Sequence, residues 1–138
     1  MAATNVVACP CGSGMPYGQC CALLHDGAPA ADAEALMRSR YSAYALRLAP
    51  YLVETWHPST RPTLTTDDLD PQTTWLSLRI IGHRPATQGP DAAEVEFVAV
   101  SRIGGGSAQR LHERSRFRRE AGRWYYVDGD IMEARRRR

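Results

Sequence analysis

Lysine is missing from this chain: all 17 of its basic residues are arginine. A surface selected to grip phosphate has no reason to exclude lysine, so the bias reflects coding preference rather than chemistry. Long apolar runs are missing too, and no stretch approaches the roughly 18 residues that a membrane-spanning helix needs. The first residues lack the basic start and apolar stretch of a secretory signal. The expected location is therefore the cytoplasm, with no membrane contact. A dominant charge is also lacking, since 17 basic residues face 15 acidic ones for a net +2. Arg135 to Arg138 carry four of those positive charges, so residues 1–134 hold a net −2. The body is not basic. The 135–138 tail reads as a solvated terminus that can also touch an acidic partner or nucleic acid.

What is present is enough for one folded unit. The 138 residues are 43% apolar and 23% charged, a profile that supports a single ordinary core with a small appendage. The chemistry is concentrated at one end. All four cysteines, Cys9, Cys11, Cys20 and Cys21, fall within thirteen residues, spaced as C-x-C, eight residues, then C-C. Two disulfides are the reading for a secreted chain, whereas reducing conditions keep such thiols free for a metal. A tetrahedral zinc takes four sulfurs at about 2.3 Å. Pro10 turns the C-x-C pair, and Gly12 and Gly14 permit tight turns that bring backbone N–H groups to the thiolates. Met15 and Tyr17 are placed to cover the site. Four thiolates also suit an iron–sulfur cluster, but adjacent cysteines fit a cubane poorly. With four protein ligands the shell is full, and one Zn2+ would be structural rather than catalytic.

The string Cys9-Pro10-Cys11-Gly12-Ser13-Gly14, followed by Tyr17 and Cys20-Cys21, resembles the SEC-C motif, the zinc module of the translocase ATPase SecA. The resemblance implies a protein-interaction role, with a protein or ribosome-associated partner.

Beyond the knuckle, residues 23–31 read as a linker punctuated by Gly27 and Pro29, with His25 on the surface. Asp32 can cap a helix running to about Leu48, with a stripe of Leu36, Met37, Tyr41, Tyr44, Ala45 and Leu48. Pro50 ends that helix or starts a second short one. A helical turn is expected near Asp67 to Leu69. From Trp75 the period becomes two. Strands are expected at 75–81, 92–101, 107–119 and 123–128, with 82–90 a loop and Gly104 to Gly106 a hairpin turn. In the first, Leu76, Leu78 and Ile80 oppose Ser77, Arg79 and Ile81. In the second, Val95, Phe97 and Ala99 share a face; in the third, Leu111, Glu113, Ser115 and Phe117 do. Helices followed by an antiparallel meander make an α+β fold.

The whole chain is similar to the bacterial YchJ-like family. The resemblance is carried by Ala35 to Tyr44 (ALMRSRYSAY), Thr55 to Pro58 (TWHP), Leu111 to Phe117 (LHERSRF) and Trp124 to Gly129 (WYYVDG). It implies a knuckle over residues 1–28 and a nuclear-transport-factor-2-like domain over 29–134, with helices packed on a curved antiparallel sheet. The family has no established activity.

Three clusters are candidates for a pocket. Arg38, Arg40, Tyr41 and Tyr44 lie on the helix, where Arg38 and Arg40 point to different sides and one of them is expected to face inward toward a carboxylate. Trp56 and His57 form a second group at a helix end. His112 and Arg114 form a third, on a strand face with Arg110, Arg116 and Arg118. That face attracts a nucleic-acid backbone if it is open, and is an ordinary solvated face if Glu94 and Glu96 balance it. No catalytic residue is assigned, because His57, His112 and Asp128 lack a nucleophile on a strained turn. The primary reading is a zinc-stabilised interaction module on a pocket-forming domain. A small-molecule-binding protein or enzyme using the pocket, with His57 or His112 converging on an acid inside it, is the alternative. Nucleic-acid binding is the third.

Overall fold

The computed structural model describes residues 7–85 and 89–132; the 135–138 tail lies outside them. Three helices precede four strands: α1 (Cys21–His25), α2 (Ala33–Leu46), α3 (Ala49–Glu54), β1 (Thr73–Pro85), β2 (Ala92–Ile103), β3 (Gln109–Glu120) and β4 (Arg123–Ile131). The strands form one antiparallel meander in the order β1-β2-β3-β4.

Helix α2 starts where Asp32 accepts a hydrogen bond from the Ala35 backbone, an N-cap that satisfies one orphaned N–H. It stops at Arg47, which takes the left-handed conformation (φ 59°) usually left to glycine. The cost of that φ is offset by the side chain, which donates from Nε to Leu69 O and from Nη2 to Thr66 O. The two-residue turn Ala121–Gly122 between β3 and β4 has positive φ at both positions, 52° and 79°, matching a primed hairpin turn.

α2 lies across one face of the sheet. Leu36, Met37 and Tyr41 bury themselves against Ala93, Val95, Phe97, Ala99, Phe117 and Trp124. Cys9, Cys11 and Cys21 belong to this same core. Apolar contact therefore continues across the connection at residues 26–32, and the knuckle is packed onto the sheet domain rather than tethered to it. A second cluster of Ala43, Tyr51 and Leu52 joins α2 to α3.

Several expectations need revision. β1 continues through Gly82, His83, Arg84 and Pro85, where a loop was expected. Register shifts between Trp75 and Ser77, and again between Ile80 and Gly82, break the simple alternation. The first leaves Leu76 42% exposed and turns Trp75 inward with Leu78 and Ile80. The supposed linker begins as helix α1, which carries His25 to a half-buried position. There His25 shares a hydrogen bond with the Tyr17 hydroxyl (2.7 Å), reaches Ser39 O with its other nitrogen (2.9 Å) and meets the Tyr51 ring edge-on. The histidine ties the knuckle to α2.

Candidate metal centre and sheet pocket

The knuckle closes through backbone bonds from Cys9 N to Met15 O, Gly12 N to Cys9 O and Tyr17 N to Val7 O. A short 3₁₀ turn at Tyr17–Gln19 then delivers Cys20 and Cys21. The four Sγ atoms lie within 4.8 Å of one another, and none is in a disulfide. Cys11 Sγ and Cys20 Sγ are 3.7 Å apart. Sulfurs bound at about 2.3 Å to one tetrahedral ion would stand about 3.8 Å apart, so the donor set fits a thiophilic metal. The surrounding groups also fit. The Ser13 hydroxyl stands 3.2 Å from Cys20 Sγ, and the Ser42 hydroxyl 3.5 Å from Cys9 Sγ. Such contacts orient thiolate ligands and spread their charge.

The thiols do not ionise independently. Contact with Cys21 drives the Cys11 thiol down to about 4, helped by the hydroxyl and backbone N–H of Ser13 against the opposing effect of burial. The same contact, together with burial, pushes Cys21 up. Buried sulfurs this close hold protons between them unless a positive ion replaces those protons. Tyr17 packs against the core and covers one side, whereas Met15 is 46% exposed and does not.

The knuckle grips the roof of the sheet. Arg38 donates from Nη1 to Cys11 O (2.9 Å) and from Nε to Glu34 (3.2 Å). Arg38, one of the expected pocket residues, thus braces the cysteine loop and is not among the residues lining the cavity between α2 and the sheet.

Between α2 and the sheet lies a cavity of about 270 Å³. Tyr41 lines it, with Met37, Trp75, Phe97 and Leu111. Of the two helix arginines it is Arg40 that faces in, 3% exposed, with Glu113, Ser115, Tyr44 and Tyr126 as the other polar lining groups. Glu113 accepts from Ser115 Oγ (2.7 Å) and Tyr126 OH (3.5 Å). Gly129 leaves room for this carboxylate, because a Cβ there would collide with Glu113 Oε2. Burial, followed by the nearness of Glu113, pushes the Tyr126 hydroxyl up; burial alone is the main reason Tyr41 rises to about 12.

Four of the expected pocket residues sit elsewhere. Trp56 stacks edge-on to Tyr126 and carries the Arg40 guanidinium on its face, behind the cavity rather than in it. His57 lies outside, bonded to Glu120 (2.7 Å) and Ser59 (2.7 Å). His112 projects from the opposite sheet face and bonds Glu96 (2.7 Å). Each histidine does meet an acid, but neither does so in the cavity, because their strand or loop positions are out of phase with it. Arg114 shares the His112 face, in register with Glu96 and Asp130. On that face Arg116 is clasped by Asp128 (2.6 Å) and Asp130 (2.8 Å), so acids interleave the arginine row. Those acids come from β4 beyond its bulge, and not only from Glu94 and Glu96.

Two signals in the sequence bear on this lining: one places Arg40, an expected candidate, on the inward side, and the other belongs to Glu113, which sequence reasoning passed over. Arg40 lies four residues from both Leu36 and Tyr44, on the buried face of α2. Glu113 alternates in phase with Leu111, Ser115 and Phe117.

Comparison with known proteins agrees with this geometry. Residues 8–23 match the SEC-C motif, and residues 32–129 match the family described as YchJ, middle NTF2-like domain. A UPF0225 protein of Xanthomonas oryzae pv. oryzae is 55% identical over 120 residues, covering 87% of this chain and 92% of that protein. A UPF0225 protein of a Polaromonas species is 53% identical over 133 residues, covering 88% and 91%. The solution structure of a SEC-C motif containing protein from Rhodopseudomonas palustris superposes with a TM-score of 0.79 at 43% identity, covering 91% of this chain and 98% of that one. A crystal structure of a SEC-C motif containing protein from Psychrobacter arcticus gives 0.74 at 30% identity, covering 93% and 84%. With the motif, the helix-roofed sheet and the relatives in agreement, the chain belongs to the YchJ-like UPF0225 family, a SEC-C motif joined to a nuclear-transport-factor-2-like domain.

Proposed function

We propose that this protein is a small-molecule-binding domain whose helical roof is braced by one structural zinc ion on Cys9, Cys11, Cys20 and Cys21, in a reducing cytoplasm. The observation that carries the reading is the space left between α2 and the sheet, where Arg40, Glu113, Ser115 and the tyrosines stand among the apolar walls of Met37, Trp75, Phe97 and Leu111. A domain selected only for stability would fill such a gap with side chains. Zinc is favoured over other metals by the all-sulfur, four-ligand donor set. The ion would saturate its coordination on protein sulfur and hold the chain.

Two measurements test the reading. Metal analysis of reduced protein should return one zinc per chain, falling to near zero in Cys11→Ser/Cys20→Ser. Fragment screening by NMR should find small ligands that shift Trp75 and Leu111 resonances, and Ala99→Met should abolish those shifts by filling the cavity. Absence of zinc, or fragments that never perturb the cavity, would refute the corresponding half.

A second reading, contact of the knuckle with a protein or ribosome-associated partner, is favoured by three exposed apolar side chains on or beside it: Val7 (66%), Met15 (46%) and Leu23 (52%). Met15→Asp/Leu23→Asp should abolish partner capture while keeping the metal. Retained capture would remove this surface from consideration.

A further inference from the structure

A buried arginine normally meets a carboxylate, and Arg40 does not. Its guanidinium packs against both Trp56 and Tyr126, which meet each other edge-on, with Cζ 5.0 Å and 4.7 Å from their ring centres. Nη1 spends both its hydrogens, donating to Leu52 O (2.8 Å) and Thr55 Oγ1 (2.7 Å). Among the described residues no acid lies within 4 Å of the guanidinium. Nε and Nη2 donate to nothing there. These two nitrogens form the side-on edge of the guanidinium, the fork whose parallel N–H bonds match the two oxygens of a carboxylate. Arg40 lines the cavity, and the α3 end already holds its other edge.

Glu113 faces the same space without closing on Arg40. Its Oε2 is engaged by Ser115 and Tyr126, while Oε1 accepts no hydrogen bond among the described residues. The cavity therefore offers one fixed positive fork and one carboxylate oxygen, set in walls of Met37, Trp75, Phe97 and Leu111. Its volume, about 270 Å³, falls just below the ~300–1,000 Å³ of drug-sized sites.

We propose that the cavity binds a small organic carboxylate with an apolar or aromatic body, its carboxylate on the Nε–Nη2 edge of Arg40 and a hydroxyl or amino donor on Glu113. The proposal rests on the pocket reading above and adds the ligand class. The two polar groups impose opposite demands. Arg40 selects the negative charge, since an uncharged isostere leaves a buried cation without a counter-charge. Glu113 rejects a carboxylate lacking a donor, because two negative groups in a small low-dielectric space repel. Ligands carrying both features satisfy both groups.

The test uses the zinc-loaded full chain and NMR titration with 4-hydroxybenzoate, mandelate, phenylalanine and benzoate, each beside its primary amide. At least one of the three donor-bearing acids should bind at least tenfold more tightly than its amide and than benzoate. Arg40→Met should abolish the acid-over-amide preference. Glu113→Gln, which keeps shape and folding if Arg40→Met does not, should raise benzoate affinity about tenfold by removing the repulsion. Amides that bind as well as acids, or benzoate affinity unchanged in Glu113→Gln, would overturn the carboxylate assignment and leave the pocket reading standing. Failure of every acid and every amide to perturb Trp75 and Leu111 would overturn both.

Discussion

The knuckle and the sheet pocket use buried charge in opposite ways. In the knuckle, four sulfurs crowd within 4.8 Å, and ionising one of them holds the proton of its neighbour, an arrangement that can take up a metal ion. In the pocket, Arg40 and Glu113 carry opposite charges, the first held by the Leu52 carbonyl and the Thr55 hydroxyl, the second by Ser115, and not by each other. The first site is locked from within by its own chain. The second retains unused donors and acceptors facing a space. A buried polar group is informative through what it leaves unpaired: the knuckle's groups converge on one point, while the pocket's face a gap.

The comparison can be broken at either region, and the largest effect should come from the knuckle. Structural zinc contributes about 10–16 kcal/mol in small peptides, comparable to the whole stability of a domain of this size. Chelation should therefore release residues 7–25 and then loosen α2, whose Ser39, Ser42 and Arg38 contact the knuckle. Hydrogen exchange should show protection lost in α2 soon after the loop; an α2 unaffected by metal loss would separate the two regions. Next comes the sheet itself. Phe117 is fully buried beneath the roof, and Phe117→Ala should cost about 3–5 kcal/mol in denaturant unfolding. The zinc content of the folded fraction should not change, since Phe117 is no ligand.

Alkaline pH probes the roof on the pocket side. Tyr41 titrates near 12 in the folded chain against 10.0 when unperturbed. The folded state therefore holds its proton between those values while the unfolded state releases it. Stability is full below pH 10 and declines as pH rises from 10 through 12. Tyr41→Phe should flatten that decline by an amount of order 1–2 kcal/mol, read as the pH dependence of the melting temperature. A smaller change belongs to neither region. Ala121→Gly should relieve the positive φ in the β3–β4 turn and stabilise by about 0.5–1 kcal/mol, with no effect on zinc or ligand.

Much of this arrangement was legible in the residues. The cysteine spacing pointed to a cluster able to hold a metal, and period-two alternation from Val95 to Ala99 and from Leu111 to Phe117 identified the inward sheet face that the core uses. The metal loop is local, so a short string of residues specifies it. The pocket is not local: it needs α2 and all four strands to meet, and histidines beside aromatic residues attracted attention that the fold directs elsewhere. Bulges made the rest hard to see. The shift at Leu76 moves Trp75 into the pocket wall, and the one after Tyr126 sets Asp128 and Asp130 against Arg116. Neither shift has a glycine or proline to announce it. Helix geometry separated Arg38 from Arg40 but did not say which faces the sheet. The answer depends on the knuckle, whose Cys11 carbonyl takes Arg38 and leaves Arg40 to the cavity.

The most direct test of the metal's structural role is X-ray absorption at the zinc edge on reduced, purified protein. Four sulfurs at about 2.3 Å and no lighter ligand are expected around one zinc per chain. An oxygen or nitrogen in the first shell, or no zinc at all, would contradict a closed four-thiolate brace.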